Sequence, residues 1–166
     1  MSDGGLARED LASLLHDLPR GTHVMAYASM TDPDALRSCD LAAREANEQW
    51  MLHGLRREGI PHDILEEAET FPDFTPETWR VQLEQAIARA RARGKAGVLL
   101  TIFPDARMRA HGPQGHLDAE QALGQQAPEG ARVICIYTSG AEAMMAKRLP
   151  LAEGTHALVY TLLGAR

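Results

Sequence analysis

Residues 131–146 read ARVICIYTSGAEAMMA, a short apolar run that ends in a Thr-Ser-Gly turn and passes at once into a helical pattern. Val133 to Tyr137 lacks polar alternation, is rich in β-branched residues and lies between Gly130 and Gly140. A run that short and that apolar predicts a strand covered on both faces, as in a parallel sheet between helices. Helix is the competing reading, but the β-branched residues and close glycines oppose it. Ser139 is placed to cap the next helix, which carries Ala143, Met144 and Lys147, so free backbone N–H groups are expected at the strand's carboxyl end. That turn, with Ser139 and Gly140, can hold an anion or be no more than an ordinary cap.

Similar units recur upstream. Thr22 to Ser29 and Ala96 to Phe103 read as strands, and Thr155 to Leu163 as the last one. Apolar stripes predict a helix bearing Leu11, Leu14, Leu15 and Leu18, and a long helix bearing Leu36, Cys39, Ala43, Ala46 and Trp50 that reaches Glu58. Another carries Trp79, Leu83, Ala86, Ile87 and Ala90, opened by Thr75-Pro76-Glu77 and ended by Gly94. Met1 to Gly5 reads as a frayed end, Ile60 to Glu66 as a weak strand, residues 104–115 (PDARMRAHGPQG) as an irregular loop, and Leu117 to Gly124 as a short helix. The alternation predicts an α/β fold: a single three-layer domain over residues 22–166, with a mostly parallel sheet of about five strands flanked by helices. An N-terminal helix over residues 1–21 precedes it, whose leucines either pack on the domain or meet a second copy of the chain.

With 166 residues, 45% of them hydrophobic and 24% charged, the chain has the length and composition of one globular domain. A net charge of -6 leaves no basic excess to neutralise phosphates, which argues against nucleic acid as a partner. The basic run Arg89 to Lys95 ends a helix, where cations suit the dipole. No apolar run approaches the roughly 20 residues that span a bilayer, so no membrane partner is expected. The start MSDGGLARED lacks a secretory pattern, and Cys39 and Cys135 fall in a helical stripe and an apolar strand, as buried free thiols do. These features predict a cytoplasmic location.

No GxxxxGK[ST], GxGxxG or GxSxG motif is present, so no cofactor is named. A Ser139, His111 and Asp105 set is within the reach of chance, and Cys135, mid-strand, reads as inert. His111 and His116, with Asp118 and Glu120 after them, supply imidazole and carboxylate, but at a spacing that matches no familiar zinc pattern; an exposed polar loop is the preferred reading. Arg107, Arg109 and His111 alternate in the same stretch. If it lies beside the Ser139 turn, two arginines and a helix N-terminus face one crevice suited to a carboxylate or phosphate; otherwise the arginines are solvated. Met25, Met30, Met51, Met108, Met144 and Met145, with Trp50 or Trp79, suit a small apolar ligand or fill the core.

Several short pieces follow one another in order: Arg20-Gly21-Thr22-His23 with Tyr27 behind it, Gly54-Leu55-Arg56-Arg57-Glu58-Gly59, Phe74-Thr75-Pro76, the Gly94 to Leu100 strand, Asp118-Ala119-Glu120, Cys135-Ile136-Tyr137, and His156. In these the chain resembles the MEDS sensory domains, named for methanogens, methylotrophs and the dichloromethane-responsive regulator. It departs from them at Glu58-Gly59, where the family reads Gly-Glu, at His156-Ala157, where the family reads His-Pro, and in a shortened stretch between Gly59 and Phe74.

The resemblance implies sensing rather than catalysis, by an α/β domain of RecA-like architecture that binds small hydrocarbon derivatives and signals to a protein partner. Met1 to Gly21 holds one helix where a helix-turn-helix needs two, so a stand-alone sensor is expected. Its small organic ligand is expected at the carboxyl ends of the strands, near His23, Tyr27, Arg107, His111, Tyr137 and Ser139. The alternative is a small enzyme or binding protein for an anionic metabolite, using Arg107, Arg109 and the Ser139–Gly140 turn. A third reading is a dimerisation module built on the Leu11 to Leu18 stripe.

Overall fold

A computed structural model describes residues 5–7, 10–28, 32–53, 62–65, 68–137 and 139–163. In chain order the elements are β1 (Gly5–Ala7), α1 (Asp10–Asp17), β2 (His23–Ala28), α2 (Asp32–Glu45), β3 (Glu48–His53), α3 (His62–Leu65) and β4 (Glu69–Thr70). They continue with α4 (Trp79–Ala92), β5 (Gly97–Ile102), α5 (Pro104–Leu123), β6 (Ala131–Tyr137), α6 (Ser139–Met145), a 3-10 turn, α7 (Leu149–Thr155) and β7 (Leu158–Leu163).

The strands form one sheet in the order β1-β7-β2-β6-β5-β3-β4, with every neighbouring pair parallel. Parallel neighbours need crossovers, and the helices supply them on both faces. Every residue of β5 and β6 is buried, which is why their sequences show no polar alternation. One face carries Met25, Met51, Leu100, Val133 and Cys135 beneath α4, α5, α6 and α7; the other carries Val24, Ala26, Trp50, Leu99 and Ile134 beneath α1 and α2. The fold is the expected three-layer α/β domain, with seven strands instead of about five. Among the described residues no helix is long and apolar enough to cross a membrane.

Four local expectations are corrected. The long helix stops at Glu45, because Asn47 adopts a left-handed φ of 54° and its side chain bonds the Gly94 carbonyl; Glu48 to His53 then forms β3. Asparagine is the residue after glycine best able to end a helix this way. The weak strand is replaced, within the described part of 60–66, by the short helix α3. The supposed loop 104–115 is the first half of α5: Pro104 sits in the first turn, and Gly112, at φ 78°, breaks the helix so that Pro113 opens a second run. Finally, the N-terminal helix belongs to the domain. Leu11 and Leu15 are fully buried, Leu18 nearly so, and Leu14 leans on the same core, so the stripe is covered by its own chain and not by a second copy.

At the amino ends of the strands a buried ion pair ties α1 to the sheet. Arg132 of β6 donates through Nε and Nη2 to Glu48 of β3, the Nη2 bond at 2.6 Å, and through Nη1 to the Leu15 carbonyl of α1. The pair reaches across β5, whose first residue is Gly97; a Cβ there would stand 2.3 Å from the Gly130 carbonyl oxygen. Removing Arg132 leaves the buried Glu48 to the half-exposed Arg20, whose Nε lies 3.4 Å from its Oε2. Arg132→Met should therefore lower the unfolding free energy by about 3–5 kcal/mol, and adding Glu48→Leu should recover a large share. Urea denaturation of the two variants checks this; a single variant as stable as its parent would mean that the pair is dispensable.

Candidate metal centre

Period-2 alternation turns His23, Met25 and Tyr27 of β2 to the same sheet face as Val133, Cys135 and Tyr137 of β6, because Met25 pairs with Cys135 and Tyr27 with Tyr137 in register. β7 flanks β2 on its other side, and His156 lies just before it, where the Ala157 N–H donates to the His23 carbonyl. The two imidazole rings stand 4.1 Å apart. From the layer above, the second half of α5 brings down Glu120 and, one turn earlier, His116. His23, Glu120, Cys135 and His156 are each at most 3% exposed, and one donor atom from each lies within 4.8 Å of all the others.

The orientation of these atoms is more telling than their proximity. His23 Nδ1 lies 3.0 Å from the Gly124 carbonyl and His156 Nδ1 lies 2.6 Å from the Ala152 carbonyl. A carbonyl can only accept, so each Nδ1 carries the proton and each Nε2 turns a lone pair inward. His23 Nε2 meets Cys135 Sγ at 3.1 Å. Glu120 uses one oxygen for support, since Oε1 accepts from the Tyr137 hydroxyl at 2.6 Å and from His116 Nε2. Its Oε2 lies 2.7 Å from His156 Nε2 without the alignment of a hydrogen bond, so both atoms are buried and unsatisfied. Buried polar atoms are rarely left so.

Burial pushes His23 down to about 3, with His156 adding to the effect, so its imidazole is neutral. Burial opposes ionisation of Glu120 too, but His156 and His116 pull its pKa well below the usual carboxylate range. Burial and then Glu120 push the Cys135 thiol well above its ordinary value and hold Tyr137 as a neutral donor. A nucleophilic cysteine needs access and a depressed pKa; Cys135 has neither.

Two imidazole nitrogens, a carboxylate oxygen and a thiol sulfur are a ligand set for a borderline divalent ion such as zinc. Four ligands at 2.0–2.3 Å from one ion stand roughly 3.3–3.8 Å apart, within the spread found between the 2.7 Å pair and the 4.8 Å limit. Histidine ligands whose second nitrogen donates to a backbone carbonyl are the usual supporting arrangement. A divalent ion with one thiolate, one carboxylate and two neutral imidazoles also leaves no net charge in the buried layer.

The sequence-derived sites are regrouped. His23 and Tyr137 belong to the cluster, and Tyr27 borders it, its ring centroid 6.2 Å from that of Tyr137 and its hydroxyl bonded to Glu153. His23 lies at the amino end of β2, not at the carboxyl end expected. Of the His111, His116, Asp118 and Glu120 constellation, Glu120 belongs to the cluster and His116 supports it, whereas Asp118 is exposed and accepts from Gln114. Arg107 is buried and bonded to Asp73, while Arg109, two residues on, is exposed and paired with Asp105, so the helix separates the two arginines that the loop reading joined. Ser139 and Gly140 begin α6, Gly140 exposed; Thr138 and Met30 lie outside the described residues. Trp50 and Trp79 lie on opposite faces of the sheet, and Met25, Met51, Met108 and Met145 fill the core, so among the described residues no methionine and tryptophan pocket forms.

A separate cleft of about 290 Å³ opens at the carboxyl ends of β3 and β5, lined by His53, Phe71, Asp73 and Arg107 among others. Sequence reasoning missed His53 because its segment read as helix. Fold and cluster together define a parallel α/β domain with a buried His-His-Glu-Cys ligand set. No protein-family model and no curated protein matches the chain.

The titrations predict acid lability of the metal-free protein. His23 at about 3 and His53 at about 4 both lie below the unfolded value of 6.5, so the unfolded chain binds the extra protons. Their stabilisation is full above pH 6.5 and is lost as the pH falls toward those values, at up to about 1.4 kcal/mol per pH unit for each. Urea midpoints taken from pH 7 to 4.5 should therefore decline, and His53→Gln should cut the slope by about half; a slope untouched by that change would mean that His53 is not held neutral.

Proposed function

We propose that this chain binds one divalent transition-metal ion, zinc in the first place, through His23 Nε2, Glu120 Oε2, Cys135 Sγ and His156 Nε2, and serves as a metal-loaded small-molecule sensing or binding domain. The observation that carries the metal is the inward convergence of four buried donor atoms whose supporting groups are already in place: backbone carbonyls on both Nδ1 atoms, Tyr137 and His116 on Glu120 Oε1. With four protein ligands and burial this deep, the ion organises structure and electrostatics rather than activating water at an open position.

The sensory part rests on the sequence resemblance. His23, Glu120, Cys135, Tyr137 and His156, quoted for that resemblance from pieces spread over most of the chain, are the residues that meet in the cluster, with Tyr27 at its border. Residues brought together for a common chemistry support a shared role better than residues scattered over a surface. The other quoted pieces serve elsewhere: Phe74 lies in the core near Arg107, and Gly54 to Gly59 falls outside the described residues.

Elemental analysis of the full chain should find close to one zinc per molecule. Cobalt(II) added after chelation should give a thiolate-to-cobalt charge-transfer band that Cys135→Ser removes. Tyr137→Phe, which keeps every ligand but deletes a donor to Glu120, should weaken the metal by about 10–100-fold. Affinity should fall as the pH drops, because binding must displace the Cys135 proton. Substoichiometric metal in the parent, or a cobalt spectrum indifferent to Cys135, would refute the site.

A further inference from the structure

The cleft at the carboxyl ends of β3 and β5 shares no residue with the four metal ligands. Its floor is Arg107, a permanent cation that is 3% exposed and stacked 4.0 Å over the Phe74 ring. A buried guanidinium needs a counter-charge. Among the described residues lining the cleft, Asp73 is the one acid, and it is shared three ways: Oδ1 lies 2.6 Å from Arg107 Nη1 and 3.4 Å from His53 Nε2, and Oδ2 lies 2.8 Å from His111 Nε2.

That carboxylate comes from outside. Its side chain is 60% exposed and belongs to the irregular segment between β4 and α4, while the groups it serves are buried or half-buried. Even with Asp73 in place, Arg107 Nε is buried without a hydrogen-bond partner, so the donors of the cleft exceed what one aspartate satisfies. Of the rest of the lining, Phe71, Pro72, Ala106 and Ala110 are apolar, and Thr70 is polar.

We propose that this cleft is a binding site for short-chain alkyl monocarboxylates, and that Asp73 is an internal competitor occupying Arg107 and the two histidines until the ligand carboxylate displaces it. The guanidinium, which holds Asp73 through Nη1 and leaves Nε unpartnered, takes the incoming carboxylate in its place, and the alkyl tail covers Phe71 and Pro72. One cation and a volume near 290 Å³ favour a single negative charge on a small body. Arg109 takes no part, since it faces Asp105 in solvent.

An internal competitor lowers apparent affinity by the fraction of molecules in which it vacates the site. Removing its charge should therefore strengthen binding, which a merely structural aspartate would not do. The test is calorimetric titration of the full chain with sodium butyrate at constant ionic strength, with inorganic phosphate as the comparison anion, on parent, Asp73→Asn and Arg107→Gln proteins, each with zinc and after chelation. Expected are butyrate binding to the parent, binding roughly tenfold tighter or more in Asp73→Asn, and none in Arg107→Gln. Butyrate should also raise the melting temperature of Asp73→Asn more than that of the parent, a readout independent of whether Arg107→Gln folds.

Asp73→Asn binding no tighter than the parent, or phosphate binding as well as butyrate, would overturn the proposal. Binding that persists after chelation keeps this outcome separate from that of the metal centre.

Discussion

Glu120 is an ionised carboxylate at 1% exposure, set in a layer built mainly of apolar side chains. Taking such a group out of water costs several kcal/mol unless donors and positive charge replace its hydration. The surrounding structure is arranged to do so. Tyr137 reaches Oε1 from the sheet and His116 reaches it from one turn earlier on the same helix, while Oε2, opposite His156 Nε2 at the start of β7, is the atom left without a hydrogen bond. Each of these requires a particular strand order, with β2 between β6 and β7, and a particular path of α5. The break at Gly112 separates the first half of α5, which holds Arg107 at the carboxyl end of β5, from the second half, which carries Glu120 over β6.

The two faces of the sheet divide the work. Beneath α1 and α2 the layer is apolar, and its buried charges, Glu48 and Arg132, sit at the amino ends of the strands with bonds to each other and to α1. Beneath α4 to α7 lie the ligand cluster and, toward the carboxyl ends, the cleft. These two are distinct in residues but not in field: the ionised Glu120 acts electrostatically on Arg107. A change of charge in the cluster is therefore felt at the cleft, and any anion in the cleft is felt by the cluster. Such coupling is a physical route by which one site can bias the other.

Most of the fold was legible in the sequence because it rests on local periodicity. The strands β2, β5, β6 and β7 and the helix α4 declared themselves through apolar runs and stripes bounded by Gly, Pro and Thr. The errors fell where one residue overrode a longer pattern. Asn47 ended a helix whose apolar spacing continued through Trp50, and in β3 that same tryptophan buries its ring by alternation, with its Nε1 donating to Thr101. The stretch holding Pro104 and Pro113 read as an irregular loop, yet both prolines stand where proline is tolerated, in the first turns of the two halves of α5. His53 was lost with the misread helix, and Asp73 carried no signal in its neighbourhood.

The sequence by itself determined the kinds of groups available and part of their placement: His23 and Tyr27 four residues apart and in phase on one strand, Cys135 and Tyr137 two apart and in phase on another, and Glu120 on a helix that His116 was read as just preceding. Those relations are local, and the backbone's periods of 2 and 3.6 set them. Only the tertiary structure decided that His23, Cys135 and His156 stand on adjacent strands, that Glu120 descends on them, and that Arg107 parts from Arg109. Strand order follows from how the crossovers close around both faces of the sheet, a sum over many apolar contacts that no single stretch encodes.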